Sequence, residues 1–114
     1  MRSMNAAQAY RKSATQRGLR EQEADVFLRV NAVLRNAMRA DPLARAKAIA
    51  DNERLWISVM DLIRDPSNQL PLPLRASILS IGHTIRRECA TGSPDIEFLV
   101  GINGQIAAGL SRST

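Results

Sequence analysis

Apolar residues recur along this chain at steps of three and four, and no stretch alternates as a strand would. Residues 19–39 (LREQEADVFLRVNAVLRNAMR) carry the clearest stripe. Phe27, Val30, Leu34 and Met38 share a face, and Val26 and Val33 widen it. Glu21, Glu23 and Asp25 lie in the early turns and Arg35 and Arg39 near the end, the order a helix macrodipole favours. Asp41-Pro42 then offers a capping side chain and a first-turn proline. The pattern predicts a helix over 42–64 with Ile49, Trp56, Val59, Met60 and Ile63 inward and Leu55 and Leu62 at its flank. Asn52 falls on the same face, so a buried amide there needs a partner, and a structural network is the favoured reading.

Asp65-Pro66-Ser67-Asn68 ends that helix. The next segment, NQLPLPLRASILSIG (68–82), places two prolines where a new helix would begin, near Leu72. From there Leu74, Ile78, Ile81 and Ile85 form one edge, broadened by Leu79, Gly82 and Cys89. Ser77 and Ser80 can return their hydroxyls to carbonyls one turn back. Gly82 costs about 1 kcal/mol against alanine inside a helix, which a close neighbour would explain. Ser93-Pro94-Asp95 predicts a serine cap and a helix over 94–110 that buries Ile96, Leu99, Val100, Ile106 and Leu110, with Asn103 interrupting the face. Segment 4–17 has only a thin stripe (Met4, Ala7, Tyr10, Ala14) and reads as a weaker, mobile helix ending at Gly18. The expectation is one all-α domain over 1–114, an antiparallel bundle of four main helices plus a weaker N-terminal helix, with a frayed tail at 111–114.

The 114 residues suffice for one modest core. The net charge of +5 is uneven: residues 1–50 hold ten Arg/Lys against four Asp/Glu, residues 51–114 six against seven. The basic charges never form a block, so a solvated face explains them better than nucleic-acid binding. Phosphate contacts by Arg11, Lys12, Arg17 and Arg20 are the nucleic-acid alternative. Cys89 and His83 each stand alone, which leaves no disulfide and no Cys/His metal spacing, and suits a reducing compartment. Neither a secretory signal nor a membrane span is expected.

No motif carries catalysis or a cofactor, so the chain reads as a non-enzyme. Ser77, Ser80 and His83 share a helix but lack an orienting acid and an oxyanion hole. Asp51, Glu53, Asp61 and Asp65 are spread around a helix, and Cys89 reads as a small buried hydrophobe.

The order NERLW (52–56), DL (61–62), NQLPLPLRASILSIG (68–82) and DIEFLVGINGQIAAGL (95–110) resembles the flagellar FlaF family, with a looser match in the N-terminal half. The family more often has polar or acidic residues where Leu72-Pro73 stand here. The resemblance implies a small cytoplasmic protein of flagellated alphaproteobacteria that binds flagellin and supports its synthesis and secretion, as export chaperone or regulator. An alternative implied role is control of flagellin translation through the regulator FlbT or flagellin mRNA, without direct flagellin binding. For a flagellin-binding groove, Tyr10, Phe27, Val30 and Leu34 are the candidate contacts, and the competing placement puts all four in the bundle core. Trp56, Met60, Leu74, Ile78, Ile81, Ile85, Leu99 and Ile106 are the expected core. Asn52, Arg54 and Arg75 could bridge helices or meet a partner.

Overall fold

The computed structural model describes residues 23–112 of the chain. Four helices appear: α1 through residues 23–37, α2 Pro42–Arg64, α3 Leu72–Cys89 and α4 Ile96–Arg112. There is no strand among the described residues. The expected weak helix at 4–17 lies outside them.

The local chemistry sets the helix ends. Asp41 Oδ1 accepts from the Ala44 N–H at 2.8 Å, and Pro42 opens α2 as read from the sequence. At the far end Asp65 Oδ1 accepts from both the N–H and the hydroxyl of Ser67, which holds its carboxyl below the usual range. Asn68 closes the turn, donating to the Leu62 carbonyl and accepting from the Leu70 N–H. α3 starts at Leu72 with no side-chain cap and no acid in its first turn. The Ser77 hydroxyl donates to the Pro73 carbonyl at 3.0 Å, while the Ser80 carbonyl accepts from Thr84.

One start differs from expectation. Asp95, not Ser93, caps α4: its Oδ1 accepts from the Phe98 N–H at 3.1 Å and its carbonyl from Leu99. Its own N–H donates to Glu88 Oε1, which keeps it outside the helix and ties the end of α3 to the start of α4. Pro94 therefore precedes the cap. α4 also continues past 110, to Arg112.

α2 is the central helix. Against α3 it pairs Met60 with Gly82, Glu53 with Arg86 and Asn52 with Cys89, an antiparallel register. Against α1 it sets Trp56 on the edge of Phe27, with ring centroids 5.7 Å apart and planes at 71°. The fully buried side chains include Trp56, Phe27, Leu34, Met60, Ile85 and Leu99. Ile78, Ile81 and Ile106 are half-buried and pack against this core.

The apolar stripes were read slightly off-centre. Leu74 is 46% exposed and outside the core, because it sits in the first turn of α3, beside the open α2–α3 connection. On α1 the buried line is Ala24, Phe27, Asn31, Leu34 and Ala37, while Val33 (49%), and Met38 (37%) in the turn just after the helix, face outward. Small alanines let α1 sit close to its neighbours, so the helix rolls toward them and away from its bulkier valine and methionine.

Three asparagines, Asn31, Asn52 and Asn103, are fully buried. Two of them form a chain with Trp56. The indole N–H donates to Asn103 Oδ1 at 2.8 Å, the Asn103 amide donates to Asn52 Oδ1 at 2.6 Å, and the Asn52 amide donates to Cys89 Sγ at 3.8 Å. An indole nitrogen can only donate, so it dictates the orientation of both amides in turn. The chain pins α2, α3 and α4 at one level.

Truncating its middle should be expensive. Asn103→Leu strands the Trp56 N–H and Asn52 Oδ1 and is expected to cost about 3 kcal/mol in urea denaturation. Asn52→Leu/Asn103→Leu should cost less than the sum of the two single changes. At Gly82 an added Cβ would lie 2.6 Å from Met60 Sδ and 2.7 Å from its Cγ. Gly82→Ala is therefore expected to destabilise by about 1 kcal/mol despite its better helix propensity, and to stabilise in a Met60→Ala background. Thermal melts of the four proteins of this cycle check the sign.

Candidate interaction surface

Of the four candidate contacts, Tyr10 lies outside the described residues. Phe27 and Leu34 are 2% and 0% exposed and hold α1 to the bundle. Val30 is half-buried; with Arg29, Val33, Ala48 and Asp51 it lines a shallow cavity of about 120 Å³ between α1 and α2. In this conformation Val30 is therefore the described candidate that reaches the surface. Arg54 pairs with Asp51 at 3.0 Å on the exposed side of α2, Asn52 belongs to the buried chain, and Arg75 Nε is buried without a partner among the described residues.

The reactive side chains do not assemble. His83 lies with Glu53, Arg86, Arg87 and Ala90 around an open surface depression, and Ser77 has its hydroxyl committed to the backbone. Burial pushes the Cys89 thiol above its usual range; the Asn52 amide opposes this, and Glu53 and Glu88 add to it. Among the described residues no three His, Cys, Asp or Glu side chains are grouped to hold a metal ion.

Larger features lie between α1 and α4. An open groove of about 730 Å³ has Arg35 at the end of α1 and Met38 and Arg39 in the turn after it on one wall, and Glu97, Val100 and Gly101 on its α4 wall. Helical spacing continues the α1 wall to Ala32 and Leu28, the latter 51% exposed, at i−3 and i−7 from Arg35. Beneath lies Asn31, whose amide donates to the Val100 carbonyl at 3.0 Å and whose Oδ1 has no donor among the described residues. From sequence, Arg35 and Arg39 served only the α1 dipole and Met38 the core. The outward turn of α1 makes them groove walls, which the stripe alone did not reveal.

Among the described residues no helix is long and apolar enough to cross a membrane. No curated protein and no solved structure matches the chain. One family model does, that described as flagellar protein FlaF, over residues 6–110. That span takes in all of α1 to α3, the buried asparagine chain and most of α4, and on it the chain belongs to the FlaF family of flagellar proteins.

Proposed function

We propose that this protein binds flagellin in the cytoplasm and supports its synthesis and secretion, as a non-enzymatic export chaperone or regulator. Membership of a flagellar protein family over nearly the whole chain carries the reading. The surface supports it: a small helical bundle with exposed leucine, valine and methionine along α1 offers apolar area to a helix-forming partner. Flagellin's terminal segments are poorly ordered before assembly, and covering their apolar face would hold them soluble. No cofactor is required for such a role.

The resemblance implies a second reading, control of flagellin translation through FlbT or flagellin mRNA. Purified flagellin, free of RNA and FlbT, is expected to bind the purified protein with a dissociation constant of about 1 μM or tighter. Tyr10→Ala should weaken that binding without lowering the melting temperature. Retention of flagellin leader RNA alone, with affinity falling steeply with salt, would establish the regulatory role instead.

A further inference from the structure

We infer that the groove between α1 and α4 receives an amphipathic helix whose flank is acidic. One wall presents Arg35 near the end of α1 and Arg39 in the turn after it, and neither has an ion-pair partner among the described residues. Glu97 is the acid on the opposite wall and sits in the first turn of α4, where the macrodipole favours it. Asp25 and Arg29 flank Leu28 further along α1 and offset one another. The groove therefore keeps a positive excess on one edge, over an apolar lining of Met38, half-buried Val100 and, along the same face, Ala32 and Leu28.

The α4 wall adds a steric argument. Gly101 lies inside a helix, where glycine costs about 1 kcal/mol against alanine. An added Cβ there would meet nothing within 4 Å among the described residues, unlike the one at Gly82, so their packing does not call for a glycine. A helix arriving from outside does: without a Cβ at 101 its backbone can lie close to α4, with its acidic edge toward Arg35 and Arg39. The groove spans about one helical turn of each wall, Arg35 to Arg39 and Glu97 to Gly101, and exposed Ala32 and Leu28 extend the surface along α1 beyond it. The inference deepens the flagellin reading, and rests on it only for the partner's identity.

The test uses the full-length protein and two fluorescent helical peptides of about twenty residues, which share a leucine stripe and differ only in glutamate or lysine flanks. The glutamate peptide is expected to bind at least about tenfold more tightly, Arg35→Glu/Arg39→Glu to invert that preference, and Gly101→Leu to weaken both by about tenfold. Arg64→Glu, at the far end of α2, should change neither. These exposed substitutions should leave the melting curve in place. Equal binding of the two peptides, or a preference untouched by the double charge reversal, overturns the inference. So does a dimer in sedimentation that the double reversal dissolves, which gives the groove to a second copy of this chain. Flagellin retention is read separately: flagellin held equally by wild type and all variants removes the groove while the flagellin reading stands. Peptide discrimination without flagellin retention removes that reading and keeps the groove.

Discussion

A single hydrogen bond organises the interior. The Trp56 N–H must donate somewhere, and the residue within reach is Asn103 on α4. Once that amide presents its oxygen to the indole, its nitrogen is turned to Asn52, and the Asn52 nitrogen is turned to Cys89. Apolar packing alone would let neighbouring helices slide by a turn at small cost, because leucine against isoleucine is tolerant. A polar chain whose indole and two amides are fully buried is not, since a slip of one turn would leave several groups unpaired at once. Phe27, edge-on to the same indole, brings α1 into this register.

Much of the architecture was legible from the chain. Helical period, Asp41-Pro42 and the proline pair at 71 and 73 place α2 and α3, and the structure starts both where those residues indicate. Asn52 and Asn103 stood out as polar interruptions of apolar faces, and they meet each other. What the pattern could not give was the roll of α1. Hydrophobicity ranks Val33 and Met38 above Ala24, Ala37 and Asn31, yet close approach rewards the small residues and a hydrogen bond to the Val100 carbonyl draws in Asn31. The pattern points to Ser93 as the cap of α4, and the bond from the Asp95 N–H to Glu88 on α3, which the pattern does not show, moves it to Asp95.

The same roll shapes the outer surface. Residues that would have filled the core from α1 stand at its edge, beside arginines that the bundle leaves without carboxylate partners among the described residues. The family motifs, by contrast, sit mainly in α2, α3 and α4, where they build the polar chain and the Met60–Gly82 contact. The groove wall with Arg35, Met38 and Arg39 thus lies outside those motifs, while its α4 wall falls within the one at 95–110. This is why recognising the motifs in 52–56 and 68–82 gave no guide to where a partner would be touched.

The tight seat of Met60 against Gly82 also bears on oxidative damage. Met38, 37% exposed, can take up an oxygen to become a sulfoxide at little cost to the bundle. Met60 is 1% exposed, and its thioether faces the Gly82 backbone with no space for another atom. Its sulfur can be reached only when α2 and α3 part. A polar sulfoxide formed in that moment could not return to the seat, so a transient opening would become permanent.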